Sequence, residues 1–293
     1  MTYCVALRLD QGLVFLSDSR TNAGVDQVST FRKMLIFERP GDRMLVVMTA
    51  GNLAISQSVR QILEGRGGSD ARSLWNVKSL YEGVLLIGDA VRAVRARDAA
   101  AMVEAGIEFN VSIIFGGQIK GEGTRLFLVY AAGNFIEAFD ESPYLQIGEA
   151  KYGKPVLDRM IVPGSSLDEG AKCALVSMDS TLRSNISVGL PLDLMCYEVD
   201  SLRVSRFATI DSRNSYFRMI HDTWGERLKE VFSEIPDPIW GTSGAPSAGG
   251  AVPSGVEPMR AYLPRELAES DSAKPANDFQ TLAQQDGSPG QLL

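Results

Sequence analysis

Residues 2–20 read Thr2-Tyr-Cys-Val-Ala-Leu-Arg-Leu-Asp10-Gln-Gly12-Leu-Val-Phe-Leu-Ser-Asp18-Ser-Arg20. Thr2 to Leu9 is rich in β-formers, Asp10-Gln11-Gly12 is a tight-turn signal, and Leu13 to Leu16 resumes the apolar run. The stretch predicts a hairpin at the start of the chain. Folding back brings the polar end of its second strand, with Asp18, beside the start of the first, with Thr2. Removal of Met1 would free a threonine carrying a hydroxyl and an α-amine on one residue. A threonine hydroxyl needs a base to act as a nucleophile. An α-amine titrates near pH 8 and can accept that proton at neutral pH. Thr2 alone is no signal, since small residues after Met are common. Its neighbours make it one.

The rest of the chain extends the pattern. Met34–Phe37 and Met44–Met48 predict a second strand pair around Pro40-Gly41-Asp42. Asn52 caps a helix running to about Glu64, and apolar spacing of threes and fours predicts a longer one over 73–104. Strands are expected at 108–115, 124–130 and 136–139, with Gly116-Gly117 and Gly121-Glu122-Gly123 as turns. Helices follow at 151–160 and 167–182, strands at 192–198 and 202–210, and a last amphipathic helix at 212–234. Segregated runs of strands and helices argue for an α+β layered fold rather than regular βαβ alternation. From Pro236 the composition changes. The remainder holds eight of the thirteen prolines and reads as a disordered extension over 236–293, with a weak helix or docking peptide at Tyr262–Leu267.

Composition narrows the function classes. The 293 residues are 45% hydrophobic and 22% charged, with net charge −7. Such a surface does not favour nucleic acid or an anionic membrane. No apolar run reaches membrane-spanning length. The start lacks a basic stretch followed by an apolar one, so no signal peptide is expected and a cytoplasmic location is. One histidine, His221, cannot build a multi-histidine metal site and lies far from any nucleophile motif. It reads as structural or exposed. Cys4, Cys173 and Cys196 lack CxxC spacing and read as buried thiols. Arg92, Arg95 and Arg97 read as a solvated helix face.

Three further residues complete a candidate site. Lys33 begins a strand; a cation near Thr2 would favour loss of its hydroxyl proton and keep the amine neutral. Asp18 would pair with Lys33 and orient it. Thr49-Ala-Gly51-Asn52 lies at a strand-to-helix junction, where the Gly51 N–H suits an oxyanion.

These residues together resemble a known family. Thr2, Leu13-Val-Phe-Leu-Ser-Asp-Ser-Arg20, Lys33 and Thr49-Ala-Gly-Asn-Leu-Ala54 look like the proteasome β-type N-terminal-nucleophile hydrolases. Ser17-Asp-Ser-Arg-Thr-Asn-Ala-Gly-Val-Asp26, Ser29-Thr-Phe-Arg-Lys-Met34, Gly148-Glu-Ala-Lys-Tyr-Gly-Lys-Pro-Val-Leu157 and Asp179-Ser-Thr-Leu-Arg-Ser-Asn-Ile-Ser-Val-Gly-Leu-Pro191 are similar to its bacterial Anbu branch, the ancestral β-subunit. The resemblance covers about residues 2–235. It implies a four-layer αββα sandwich, a Thr2 nucleophile, an Asp18–Lys33 support pair, the Gly51 N–H as oxyanion donor, and a substrate pocket with Thr49 and Asn22. It implies no metal or organic cofactor, and a homo-oligomer built as an open, helically staggered ring. Peptidase members support the N-terminal amine with a Ser and an Asp near the end of the second helix pair. Here that region reads Ser184-Asn-Ile-Ser187, so Ser187 takes the serine role and Ser184 or Asn185 the acid position; Glu149 follows Gly148 where a further serine is expected. The substrate implied is a peptide, with a small amide as alternative. A catalytically weak assembly or binding protein of the same fold is the other alternative, and the sequence does not identify an unfoldase partner.

Overall fold

The computed structural model describes residues 2–23, 27–65, 72–238, 240–241 and 259–260. By its internal contacts the chain forms two units, Met1–Arg227 and Leu228–Leu293. The first is built on two five-stranded antiparallel sheets. One has the order β10-β1-β2-β11-β12, from β1 (Tyr3–Leu9), β2 (Gly12–Asp18), β10 (Tyr144–Gly148), β11 (Leu192–Glu198) and β12 (Arg206–Ile210). The other has the order β5-β6-β7-β8-β9, from β5 (Met34–Arg39), β6 (Arg43–Gly51), β7 (Val111–Ile119), β8 (Arg125–Val129) and β9 (Phe135–Glu137). A polar two-stranded ribbon, β3 (Arg20–Ala23) with β4 (Gln27–Thr30), follows β2. The helices are α1 (Leu53–Leu63), α2 (Leu80–Glu104), α3 (Ala150–Met160), α4 (Leu167–Ser184) and α5 (Ser215–Glu234), the last crossing the division between units.

Three apolar clusters define the layers. Cys4, Ala6, Phe15, Met34, Met48, Ile114 and Met195 fill the space between the two sheets. Val5, Leu7, Leu16, Leu157, Leu175, Met178 and Phe217 join the first sheet to α3, α4 and α5. Val47, Ile55, Val84, Ile87, Val91 and Phe115 join the second sheet to α1 and α2. The result is the expected αββα sandwich. Every side chain of β2 is buried, because neighbouring layers cover both faces of a central strand. Each such apolar side chain contributes roughly 1.5–3 kcal/mol on burial.

Several helix starts are set by side-chain caps. Asn52 Oδ1 accepts from the Ala54 and Ile55 N–H groups, Ser79 Oγ from the Glu82 N–H, and Ser166 with Glu169 forms a capping box. Ser79 corrects the expected helix over 73–104. Leu74 and Val77 are buried as their spacing suggested, but residues 72–79 are irregular, and the Arg43 guanidinium binds the Leu74 and Val77 carbonyls at 3.1 and 2.9 Å. Gly116 and Gly117 are not a turn. They lie inside β7, paired with Val46 and Leu45 on β6. The strand expected from Leu202 begins at Arg206. Asp200 and Leu202 have left-handed backbones, and their N–H groups bond to Gln118 and the Tyr197 hydroxyl.

Among the described residues no helix is long and apolar enough to cross a membrane. Of the second unit, the described residues are the end of α5, the segment 235–238, and a parallel pair, β13 (Trp240–Gly241) with β14 (Met259–Arg260). The expected element at Tyr262–Leu267 lies outside the described residues.

Candidate active site

The β1–β2 hairpin pairs Cys4 with Ser17, which sets Asp18 against the start of β1. The Tyr3 N–H donates to Asp18 Oδ1 at 3.0 Å, and the Gly189 N–H to Oδ2 at 3.4 Å. Lys33 enters from the segment leading into the other sheet. Its Nζ donates to the same Asp18 Oδ1 at 2.6 Å and to the Arg20 carbonyl at 2.7 Å. Asp18 is 0% and Lys33 5% exposed, so the pair is held away from water. Burial pushes the Asp18 carboxyl up from the ordinary aspartate range; the Lys33 ammonium and the two backbone N–H groups pull against it.

Thr2 is 8% exposed and directly precedes β1, next to Tyr3 whose N–H is bonded to Asp18. β10 locks it there. Tyr3 pairs with Gly148, and the Glu149 N–H donates to the Thr2 carbonyl at 2.8 Å. Gly148 has φ +80°, and a Cβ on it would sit 1.8 Å from the Thr2 carbonyl oxygen. Only glycine fits that crossing.

Thr2, Lys33, Thr49, Gly51 and Glu149 line one cavity of about 700 Å³, together with Arg20, Thr21, Phe31, Ser112 from β7 and Asn110 just before it. The N-terminus of α1 opens on it through Gly51, Asn52 and Leu53. Gly51 has φ +108° and packs against the Asn110 carbonyl. The Thr49 N–H donates to the Lys33 carbonyl at 3.3 Å, tying the end of β6 to the start of β5.

The structure therefore brings Thr2, Asp18, Lys33, Thr49 and Gly51 together. Asn22 lies on β3 opposite Val28. Ser184 ends α4 and is exposed, and the Ser187 N–H donates to Asn185 Oδ1; neither serine lines the cavity. Sequence reasoning missed the Arg20 carbonyl, which is the second acceptor for Lys33, and it missed Asn110, Ser112 and Phe31. A backbone acceptor leaves no side-chain signal, Asn110 and Ser112 depend on the distant pairing of β6 with β7, and Phe31 is set by its N–H bond to the Ser19 carbonyl. His221 lies elsewhere, with Nδ1 2.6 Å from Asp179 Oδ1 across α4 and α5. All three cysteines are buried and free. Among the described residues no cluster of His, Cys, Asp and Glu could hold a metal ion.

No family model matches the chain, and no curated protein matches it. Solved structures do. Anbu (ancestral beta-subunit) from Yersinia bercovieri is 52% identical with a TM-score of 0.75, covering 80% of this chain and 98% of that one. The Anbu complex of Pseudomonas aeruginosa, solved as a helical assembly, is 47% identical with a TM-score of 0.77, covering 81% and 98%. An Anbu (Gly-1) mutant from Hyphomicrobium sp. strain MC1 is 46% identical with a TM-score of 0.75, covering 81% and 99%. Identity at this level over nearly the full length of those proteins, on the same sandwich of two sheets, makes this chain a member of the Anbu (ancestral beta-subunit) family.

Proposed function

We propose that this protein is a threonine-type N-terminal-nucleophile hydrolase that cleaves peptide bonds after loss of Met1. The observation that carries the reading is the buried Lys33 ammonium, fixed 2.6 Å from Asp18 in the cavity that Thr2 and Gly51 also line. Thr2 Oγ attacks the substrate carbonyl carbon while its proton passes to the Thr2 amine, directly or through a water. Lys33 stabilises the developing alkoxide. The Gly51 N–H, at the positive end of α1, stabilises the tetrahedral oxyanion. The C–N bond breaks as the ammonium returns its proton to the leaving amine, which leaves an ester on Thr2. Water, deprotonated by the same amine, then releases the acid and restores the hydroxyl. No metal or organic cofactor takes part in this scheme.

The protein acts in the cytoplasm as a homo-oligomer arranged as an open, helically staggered ring. The helical assembly of the Pseudomonas aeruginosa relative supports that arrangement. Labelling with a threonine-directed electrophile tests the chemistry. Wild type should carry one adduct on Thr2 of a chain lacking Met1, and Thr2→Ala should carry none. Met1 retained on the native oligomer, or equal labelling of both proteins, would overturn the reading. A substrate panel separates peptides from small amides: turnover of small amides alone would reassign the substrate class.

A further inference from the structure

Glu149 is a carboxylate whose surroundings the scheme above leaves unused. It occupies the N-cap position of α3, yet its side chain caps nothing. Its backbone N–H is bonded to the Thr2 carbonyl at 2.8 Å, so the residue is fixed beside the nucleophile. It lines the same cavity as Thr2. Its side chain is only 14% exposed, and its carboxylate accepts no hydrogen bond among the described residues. The one ion pair it forms there is loose: Lys151 Nζ at 4.0 Å, on a side chain 71% exposed. A carboxylate so withdrawn from water ordinarily has a firm cationic or N–H partner. The other charged groups at this end of the sandwich are committed. Lys33 is bonded to Asp18 and to the Arg20 carbonyl, and the Arg20 guanidinium donates to the Ile186 carbonyl. The cation still to come is the ammonium created when Met1 is removed, on the residue to which Glu149 is already bonded.

We propose that Glu149 is a positioning residue that pairs with the freed Thr2 amine and holds that nitrogen beside its own hydroxyl. This inference rests on the reading of Thr2 as its own base. Two opposite effects then set the basicity of the amine. The Lys33 ammonium, anchored by Asp18 across the hairpin, makes the amine a weaker base; Glu149, from the start of α3, makes it a stronger one. Lys151, on the first turn of α3, weakens Glu149 by competing for it. The arrangement keeps the nitrogen basic enough to take the hydroxyl proton beside a buried cation.

The test measures the amine itself. Trace acetylation of the N-terminal amine of the intact oligomer, followed over a pH series by mass spectrometry of the N-terminal peptide, gives its pKa without any turnover. Glu149→Gln keeps the shape and should lower that pKa by about one unit or more, the effect of losing one close opposite charge. It should also move the acid limb of electrophile labelling to lower pH by the same amount and lower the plateau rate, since the nitrogen is no longer held. Lys151→Met, at an exposed position, should move the pKa upward. An amine pKa unchanged in Glu149→Gln, in a chain that lacks Met1, overturns this inference and leaves the nucleophile reading intact. If Glu149→Gln does not assemble, Lys151→Met decides: no upward shift overturns it. Met1 retained in wild type sinks the nucleophile reading, and this one with it.

Discussion

Replacing Asp18 by Asn tests the centre of the site most directly. Asp18 is fully buried and accepts from Lys33 Nζ, the Tyr3 N–H and the Gly189 N–H. Asn keeps the shape but supplies no charge. One of its two heads is an NH2, which cannot accept. The Lys33 ammonium keeps two neutral acceptors, the amide oxygen and the Arg20 carbonyl, while the NH2 head faces the Gly189 N–H and leaves it without its acceptor. Leaving a buried donor without its acceptor costs about 1–3 kcal/mol. For a domain of this size each kcal/mol moves the unfolding midpoint by roughly 2–4 °C, so the drop should be on the order of 5 °C. Thermal unfolding of the native oligomer reads the stability, and electrophile labelling of Thr2 reads the chemistry. Asp18→Asn/Lys33→Met removes both charges and should cost clearly less than the sum of the two single changes. Acid adds a second reading. Burial raises the Asp18 pKa in the fold, so the native state binds that proton more tightly than the unfolded chain. The contribution of this group to stability therefore grows as pH falls through the window above the ordinary aspartate value, and shrinks as pH rises through it. In the same window Lys33 loses its counter-charge. Labelling, which falls by about tenfold per pH unit below the pKa of the amine, should steepen toward about a hundredfold per unit there, with no loss of midpoint due to Asp18. The steeper limb should vanish in Asp18→Asn. A midpoint unchanged in Asp18→Asn, or costs in the double variant that simply add, would refute the claim that this pair organises the site.

Two glycines give further tests. Gly148→Ala places a Cβ about 1.8 Å from the Thr2 carbonyl oxygen at φ +80°; it should cost about 1–3 kcal/mol or more in unfolding and displace Thr2, abolishing its adduct. Gly51→Ala, at φ +108° with a Cβ 2.4 Å from the Asn110 carbonyl oxygen, should slow acylation of Thr2 by about a hundredfold, the effect of losing one oxyanion donor, as read by adduct formation over time.

The hairpin was legible because its two strands carry long apolar β-forming runs broken at a Gly turn, a pattern that local sequence alone can encode. β10 was not. Tyr144–Gly148 is five residues after a proline, and it becomes a strand only by pairing with β1, more than a hundred residues away. The ribbon of β3 and β4 was missed for a different reason: Arg20-Thr-Asn-Ala23 carries no apolar alternation. At Leu74 and Val77 the sequence pattern was read correctly as core and wrongly as helix. Burial on one side needs only the spacing, whereas the carbonyls are satisfied by Arg43, a partner the spacing cannot reveal. Gly116-Gly117 misled in the opposite direction. Turn-forming residues serve there inside a strand, where a Cβ on Gly117 would meet the Met44 carbonyl oxygen at 2.1 Å.

The site inherits this division. Thr2, Asp18, Lys33 and Gly51 each sit at the end of an element the sequence announces, so their residue types could be read. The hairpin also announces that Asp18 meets Thr2, and the residue types suggest the Asp18–Lys33 pair; the geometry of that meeting is not in the local sequence, because Thr2 and Asp18 lie at one sheet while Lys33 and Gly51 lie at the other. The geometry that joins them is the packing between the sheets, made by side chains such as Phe15, Met34 and Met48. Lys33 is the chain neighbour of Met34, and Asp18 lies three residues beyond Phe15 on the same hairpin strand. The 2.6 Å contact between Lys33 and Asp18 therefore measures how the two sheets seat against each other. The candidate site is thus a property of the sandwich, not of the hairpin that carries Thr2.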